Sequence, residues 1–484
     1  MLSDFRVWRS EHESHKKPTN PSVSTLVIVP HKDLALQLER WIQVITESKI
    51  QVQRPKLSSI VQVLAKIPRE PLQERLAELE RITPHILIGT PNILLKNYDK
   101  LKLHKLNTVV VDEVDYLIET VPNLRDNFKR EKIRKKIAEH PGPTRTLLNK
   151  ILAPRMIKAN SPNPDNPPTP IPITRQPQVH HKPQLILSTA TFRGHLNRFL
   201  FQKSGWLTRG DMHLVKINGM PREAEPSAWL QNATHSVLVV NRESEIRNIA
   251  SAVSSSSPQP GSANEYEEAV RADGEGDAAF RGAVTGELSG ADLDEETALA
   301  TETPGHGTPT PWSPGSIEAI SICFAIDVSR TALLVAPSSY PVFTLVEELK
   351  GYGVDARPLD MLSPFAGRNH ILNSKGTEVV TEGEGPILFV STLANTRGLD
   401  LPELSHVFIL GVPYGRVDSY THIAGRTCRF GKAGTIVTIV EDFAREFTDG
   451  EGRKERRVML NGEKIMKGIL REIGIIPKRV EHFD

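Results

Sequence analysis

The sequence of 484 residues has few cysteines, no long apolar run and almost no surplus charge. Its two cysteines, Cys323 and Cys428, are far apart and no CxxC or Cys/His cluster accompanies them, which excludes a disulfide framework and an ordinary zinc site. No apolar stretch is long enough to cross a bilayer, and the first residues lack the apolar core of a secretory signal. We therefore expect a soluble protein of a reducing compartment, with no membrane partner.

The net charge excludes few classes of partner, because the sequence has 60 basic and 58 acidic side chains. Only the local distribution of charge can indicate a nucleic-acid partner. The length is more informative, since 484 residues exceed what one ordinary core holds. Two domains are the expectation.

One apolar, β-branched run, Thr108 to Val111, ends in the carboxylates Asp112, Glu113 and Asp115. Such a run predicts a strand buried on both faces. In open α/β sheets ligands bind beyond the carboxyl ends of the strands, where an Asp can hold Mg²⁺ directly or through water and a neighbouring Glu can orient or deprotonate a water. An acidic loop that merely follows a strand gives the same pattern, so this run alone does not distinguish a magnesium site from such a loop.

Further apolar runs alternate with helical patterns along the chain, which is typical of βαβ units and parallel sheets. The predicted strands begin at Thr25, Ile86, Thr108, Leu185, Ser236, Ala332, Ile387, Val407 and Thr435. The fold class is therefore α/β, with two similar domains, each a mostly parallel, doubly wound sheet of four to six strands.

Composition places the boundaries between these parts. We expect a remnant N-terminal segment over 1–24, a first domain over 25–220, a linker over 221–235, a second domain over 236–445 and a C-terminal extension over 446–484. A basic and proline-rich insertion spans about 125–184, and its run Lys129 to Lys136 either contacts RNA phosphates or forms a solvated face. An acidic insertion over about 254–316, with twelve Asp or Glu against two Arg, cannot bury enough apolar surface to fold; it is an inert loop or an RNA mimic.

The second domain carries two polar motifs. Ser391 to Asp400 directly follows a predicted buried strand, and Tyr420 to Gly431 contains Arg426 and Arg429. These arginines are three residues apart, so on a helix they share a face and can present two planar guanidiniums to one polyphosphate. A surface salt bridge is the alternative for either arginine alone.

In their order, these motifs resemble those of the DEAD-box RNA helicases of superfamily 2, and the resemblance covers about Thr25 to Val440. Pro30 to Gln37 is similar to PTRELAxQ, Thr90-Pro91 to the start of TPGR, and Asp112 to Asp115 to the D-E-A-D box with Val114 for Ala. The resemblance implies two RecA-like domains, ATP and Mg²⁺ as cofactors, and RNA, structured and of ribosomal kind, as the partner.

The resemblance also assigns roles to individual residues. Asp112 would hold Mg²⁺ through water, Glu113 would activate the attacking water, and Arg426 and Arg429 would be arginine fingers. Nucleotide binding falls to Asp115, Gly398 and Asp400. Coupling of hydrolysis to strand separation falls to Thr189, Ala190, Thr191 and His422. RNA binding falls to Pro30, Lys32, Gln37, Thr90, Pro91, Thr392 and Arg397.

The chain departs from the family pattern in several places. Substitutions weaken the expected RNA contacts and the last motif: His31, Lys32, Asn92, Ile93, Leu393 and Ile423. No G-x-x-x-x-G-K-[ST] loop occurs anywhere, and the adenine-reading Q motif is missing. That loop and its Lys hold the β- and γ-phosphates. Because the strands Thr25 to Val29 and Val109 to Val111 remain fully apolar, we expect a sequence incomplete at its start rather than an old pseudoenzyme.

Three functions follow from these observations. The first is an ATP-dependent RNA helicase that unwinds or remodels RNA or RNA–protein complexes. The second is a catalytically inactive, helicase-derived RNA-binding or ribosome-assembly factor, and the third is a DNA-directed helicase, which the spelling of the last two motifs disfavours. Divergent motifs with long insertions resemble the fungal mitochondrial type, so the expected location is the mitochondrion, with nucleolus or cytoplasm as alternatives, and the expected state is a monomer with ribonucleoprotein assembly partners.

Overall fold

The structure is a computed structural model, and its description covers part of the chain. The described residues are 21–47, 56–67, 70–121, 127–152, 183–189, 192, 194–207, 230, 233–253, 312–337, 340–359, 385–401, 404–413, 417–427, 433–443, 447–448, 454–455 and 462–483. They fall into two compact units, one drawn from 1–125 and 130–210 and the other from 126–129 and 211–484.

The first unit is built on a five-stranded parallel sheet with the order β2-β3-β1-β4-β5. Its strands are β1 (Thr25–Ile28), β2 (Val61–Leu64), β3 (Ile86–Gly89), β4 (Thr108–Val111) and β5 (Gln184–Leu187). Its helices are α1 (Lys32–Glu47), α2 (Leu57–Ile60), α3 (Leu72–Arg81), α4 (Pro91–Lys96), α5 (Val114–Leu117), α6 (Asn127–Glu139), α7 (Pro143–Leu152) and α8 (Gly194–Arg198), with a 3-10 turn at Tyr98–Lys100 and a π-helical turn at Phe199–Lys203.

The centre and the edge of this sheet differ in burial. β1 lies in the middle, where Thr25 is in register with Ile86 on one side and Thr108 on the other. β5 pairs only with β4 among the described residues, and its Ile186 is 39% exposed. The strands that the sequence marks as most apolar are therefore the interior ones, and the sheet ends on a half-exposed strand.

The second unit is built on a seven-stranded sheet with the order β7-β6-β12-β11-β8-β10-β9. Its strands are β6 (Ala233–Val240), β7 (Ile246–Asn248), β8 (Thr331–Ala336), β9 (Ala356–Pro358), β10 (Ile387–Thr392), β11 (His406–Leu410) and β12 (Gly434–Glu441), and a separate ribbon joins β13 (Phe447–Thr448) to β14 (Lys454–Glu455). Only β7 runs antiparallel to its neighbour in the large sheet.

Helices cover this sheet, and the end of the chain belongs to its core. The helices are α9 (Pro314–Asp327), α10 (Val342–Gly351), α11 (Leu393–Thr396), α12 (Val417–Ala424) and α13 (Gly462–Glu472). Glu463 of α13 bonds Arg247 of β7 at 2.7 Å, and Val480 and Phe483 join the apolar cluster under the sheet. The expected C-terminal extension therefore folds with the second unit.

The expected fold class, α/β with two mostly parallel, doubly wound sheets, is confirmed. The second sheet has seven strands, whereas four to six are expected. The pattern does not reveal β7 and β9, because each has only three residues. Two elements of the structure extend past the expected bounds: β6 begins at Ala233, within the residues expected as linker, and α9 begins at Pro314, within those expected as the acidic insertion. Trp312 is buried, and the Ser313 side chain accepts a hydrogen bond from the Ser316 N–H to cap α9.

Other expectations fall on segments without a description. Residues 153–182, which hold most of the proline-rich insertion, and 254–311 of the acidic insertion lie outside the described residues. The basic run Lys129 to Lys136 lies on α6, as expected for a helix. None of the helices in the described part of the chain is long and apolar enough to span a membrane.

Candidate functional site

Side chains that follow β4 and β5 bond to one another at the carboxyl edge of the first sheet. The Ser188 hydroxyl donates to Asp112 Oδ1 at 2.6 Å, and the Thr189 hydroxyl donates to Asp115 Oδ1 at 2.7 Å. The backbone reinforces this pairing, since the Ser188 N–H donates to the Val111 carbonyl at 2.9 Å and the Val114 N–H to the Ser188 carbonyl at 3.0 Å. Two segments that lie more than 70 residues apart in the chain thus form one polar edge.

Glu113 sits between these two carboxylates in an unusual backbone conformation. Its φ and ψ are 52° and 49°, in the left-handed region, which costs a non-glycine residue about 1–3 kcal/mol. The residue is also 7% exposed. Strain of this kind persists only where the surroundings hold it, and it is concentrated at functional sites.

Asp112 has the features of a metal-binding carboxylate. Its two hydrogen bonds with other described residues, from the Ser188 hydroxyl and from the Glu113 N–H at 3.0 Å, both fall on Oδ1. The side chain is half-buried at the strand end, and carboxylate oxygens are the ligands that Mg²⁺ prefers. The donor set therefore fits a magnesium ion held by Asp112 through its other oxygen or through water.

The turn from β1 into α1 carries the residues expected to contact RNA. His31 Nδ1 accepts a hydrogen bond from the Leu34 N–H at 3.3 Å, so this histidine caps α1. Lys32 pairs with Asp33 at 3.0 Å. Pro30 is half-buried, whereas Gln37 lies on the buried side of α1 and is fully buried.

The turn from β3 into α4 has a tighter geometry. A Cβ on Gly89 would lie 2.7 Å from the Leu64 carbonyl oxygen, so glycine is required there. Thr90 precedes α4 and Pro91 opens it, as suits a proline in the first turn. Thr90 is 5% exposed, and its hydroxyl has no hydrogen-bond partner among the described residues.

Several motif residues of the second unit are buried. Thr392 ends β10, Arg397 is 8% exposed, and Gly398 has a φ of 70°, which favours glycine. Arg426 is 7% exposed; its guanidinium donates to the carbonyls of Leu399 and, at 3.1 Å, of His422. Arg426 thus ties the end of α12 to the loop after Gly398.

Two further expected site residues lie in the second unit, and others have no description. His422 is buried on α12, and Asp400 is half-buried in the loop that follows Gly398. Ala190, Thr191 and Arg429 lie outside the described residues. The roles assigned to all these positions stay predictions.

Ser188 was missing from the expected set, although it forms the shortest hydrogen bond to Asp112. The signal was present, because a hydroxyl directly after a strand lies at the same sheet edge as the carboxylates. A second omission is the fully buried pair in which His235 Nδ1 lies 2.7 Å from the Tyr420 hydroxyl. Burial lowers the pKa of His235, opposed by its hydrogen bond to the Leu230 carbonyl. No periodicity indicates such a pair.

Comparison with known families places these segments. A model described as DEAD/DEAH box helicase matches residues 9–149, and one described as helicase conserved C-terminal domain matches residues 326–431. The ATP-dependent RNA helicase SrmB of Haemophilus influenzae is 34% identical over 97 residues, which are 20% of this chain and 20% of that protein. SrmB of Escherichia coli is 42% identical over 62 residues, 13% of this chain and 14% of that protein.

The matched stretches span a fifth or less of these curated relatives. Among solved structures, Saccharomyces cerevisiae Dbp5 bound to RNA and ADP BeF3 aligns with a TM-score of 0.46 at 14% identity, over 96% of this chain and 80% of that one. Mss116p bound to ssRNA and AMP-PNP aligns with a TM-score of 0.47 at 16% identity, over 98% and 66%. The two family models together cover just over half of the sequence, and on them the chain belongs to the DEAD-box helicase family.

Proposed function

We propose that this chain is an ATP-dependent RNA helicase that unwinds or remodels RNA or RNA–protein complexes. The observation that carries the proposal is the polar edge of the first sheet, where Ser188 bonds Asp112 and Thr189 bonds Asp115. Membership of the helicase family and the curated relatives, which are named as ATP-dependent RNA helicases, support it.

The residues of this edge suit phosphoryl transfer to water. Ser188 and the Glu113 N–H fix the carboxylate of Asp112 through Oδ1, which would leave its second oxygen to hold a cation. Glu113 is held by its backbone next to that carboxylate and would orient or deprotonate the attacking water. Mg²⁺, when bound, would neutralise charge on the phosphates. The Thr189–Asp115 bond links this edge to the segment expected to respond to hydrolysis.

RNA contact in the first unit is proposed for Thr90. Its buried hydroxyl has no hydrogen-bond partner in the described part of the chain, and a buried hydroxyl of this kind gains from an acceptor such as a phosphate or ribose oxygen. Lys32 is less suited to contact RNA than the arginine that the family has at this position, because its ammonium already pairs with Asp33.

The test is the ATPase rate of the full chain with and without single-stranded RNA. We expect RNA to stimulate the rate, and Glu113→Gln to lower the stimulated rate by about 100-fold or more, because loss of a general base costs that much. Glu78→Gln, on an exposed carboxylate of α3, is the matched control and should leave the rate unchanged. Equal rates with and without RNA would refute the proposal, and DNA in place of RNA tests the nucleic-acid preference.

A non-catalytic RNA-binding or assembly factor is the second candidate. It is favoured by the position of Arg426, which is buried and whose guanidinium bonds two backbone carbonyls of its own unit. This candidate predicts RNA binding that is indifferent to ATP and to Glu113→Gln. A change in RNA affinity on adding ATP, measured by fluorescence anisotropy, would count against it.

A further inference from the structure

The first unit has a cavity of about 510 Å³ that lies apart from the residues assigned to nucleotide or RNA. We call it the basic cleft, and it is lined by Glu119–Val121, by one side of α6, by Arg145 of α7, and by residues of α8 and the π-helical turn after it. Its volume is in the range of ligand-binding clefts. Its lining includes five permanent cations: Arg130, Arg134, Arg145, Arg198 and Lys203.

The charge of the basic cleft is unbalanced. Among the described residues that line it, two carry carboxylates, Glu119 and Glu131. Glu131 pairs with Arg134 at 3.3 Å on the exposed face of α6. Five cations against two carboxylates leave a local surplus of three positive charges, before His195 is counted. The whole chain has a net charge of only +2, so the surplus is concentrated here. Such a concentration attracts polyanions.

Arg145 shows that the basic cleft is a built feature and not only a solvated face. Its guanidinium carbon lies 4.4 Å from the centre of the Phe199 ring, a cation–π geometry. Its Nε is buried and donates to no acceptor among the described residues. Burial lowers the pKa of Arg145 and Glu119 raises it, yet an arginine stays charged at neutral pH. Because Arg145 is fixed over a ring and its buried Nε–H has no acceptor among the described residues, an anionic acceptor would stabilise it.

Four segments contribute to this charge, which separates the basic cleft from an ordinary basic helix. α6 supplies two arginines, but Arg145, Arg198 and Lys203 come from other elements that converge on the same cavity. Four of the five cations are arginines, whose planar forks bond phosphate oxygens in pairs. The described residues of the lining offer two aromatic rings, those of Phe199 and His195. Arg145 already lies over Phe199, so contact with the RNA backbone fits better than base stacking.

We propose that the basic cleft binds phosphates of the RNA strand beyond the stretch that the motif residues hold. The inference rests on the RNA binding of the proposed function and extends it to a second contact area. RNA then occupies two areas of the first unit, and only a strand long enough to reach both uses the basic cleft.

The experiment compares two single-stranded RNAs, of about 6 and about 24 nucleotides. The first lies within and the second above the site sizes of about 4–16 nucleotides of common single-strand binders. The variant is Arg198→Glu with Lys203→Glu, because both side chains are exposed and their replacement spares Arg145 and the core. We expect the variant to bind the long RNA about tenfold more weakly and the short RNA equally well. The slope of log Kd against log salt for the long RNA should fall by about 0.7 per lost phosphate contact.

The matched control is Arg81→Glu with Lys100→Glu, which changes the charge of the same unit by the same amount on exposed residues outside the basic cleft. It should leave the salt slope for the long RNA unchanged. An unchanged Kd and slope for the long RNA in the cleft variant would overturn the inference and leave the proposed function intact. If the wild-type chain bound neither RNA, the proposed function itself would fail.

A further arm identifies a different ligand. Pyrophosphate is added to the wild type and to the cleft variant, and the melting temperature of each is measured. If pyrophosphate stabilises only the wild type while the long RNA binds both equally, the basic cleft is a site for a small phosphate anion, and the RNA inference is wrong. Competition between pyrophosphate and the long RNA, abolished in the variant, supports it.

Discussion

The motif-bearing edges of the two sheets use their polar residues in opposite ways. In the first unit, Ser188 and Thr189 bond the side chains of Asp112 and Asp115, and the group is partly open to solvent. In the second unit, Arg426 is buried and bonds backbone carbonyls, while Thr427 bonds the Leu404 carbonyl at 2.9 Å.

Motif residues at the edges of these two sheets therefore need not have the same role. Side chains that bond other side chains at a strand end can exchange partners when a ligand arrives. A guanidinium that bonds two buried carbonyls holds the backbone in place, and only its remaining N–H donors can bond a phosphate while those two bonds persist. Substitutions should therefore cost stability mainly in the second unit and function mainly in the first.

The largest effect expected from this comparison is that of Arg426→Ala. It leaves two buried carbonyls without their charged donor, so the free energy of unfolding of the second unit should fall by about 2–4 kcal/mol. Hydrogen exchange read by mass spectrometry would follow peptides of each unit separately. Arg81→Ala, at an exposed position, should cost less than about 0.5 kcal/mol. Equal protection in wild type and Arg426→Ala would show that Arg426 is not structural.

A smaller effect is expected from Ser188→Ala combined with Thr189→Val. Each change removes one hydroxyl donor to a carboxylate, and the pair should cost about 1–3 kcal/mol. The loss should appear in peptides of the first unit only. RNA-stimulated ATPase should fall by more than this stability loss explains, because the Asp112 carboxylate loses its orientation. A fall in stability with unchanged ATPase would assign these hydroxyls a structural role alone.

The stability of the second unit should also depend on pH. Burial lowers the pKa of His235 and of His406, both in the second unit, below the ordinary 6.5. The unfolded chain then binds protons that the folded chain does not, so stability is present above about pH 6.5 and is lost as the pH falls below it. The slope is at most about 1.4 kcal/mol per pH unit for each histidine. Thermal unfolding in steps from about pH 7.5 to 5.5 measures it, and His235→Gln should flatten the curve.

The smallest effect concerns the edge of the first sheet. Ile186→Thr replaces a 39% exposed side chain, so we expect a change in the free energy of unfolding below about 0.5 kcal/mol. Amides of β5 should exchange faster than those of β10, which lies between two strands and is buried throughout. Slower exchange in β5 than in β10 would mean that a further segment pairs with this edge.

The sequence predicts the interior strands well, because continuous β-branched runs have few other ways to be buried. It does not reveal β2, whose run includes Gln62. That side chain is buried only because its amide donates to the carbonyls of Ser58 and Ile82, each at 2.8 Å, and such partners cannot be read from a local pattern. α7 was missed for a related reason, since it lies within a segment whose composition indicates an insertion.

The candidate site was predicted at the level of residues but not of geometry. Motif order indicated that Asp112 and Thr189 belong to one site, yet nothing local tells which hydroxyl bonds which carboxylate across more than 70 residues. The burial of Arg426 could not be predicted either, because the spacing of two arginines indicates that they share a helix face but not which residues cover that face. Long-range packing decides both.

The backbone of Glu113 has a consequence for how this position tolerates change. In a library of all substitutions at 113, the ranking by folding stability should favour glycine and asparagine, which adopt a φ of 52° with little penalty. The ranking by turnover should favour glutamate alone. The two rankings oppose each other, so selection for stability by itself would erase the carboxylate from this edge.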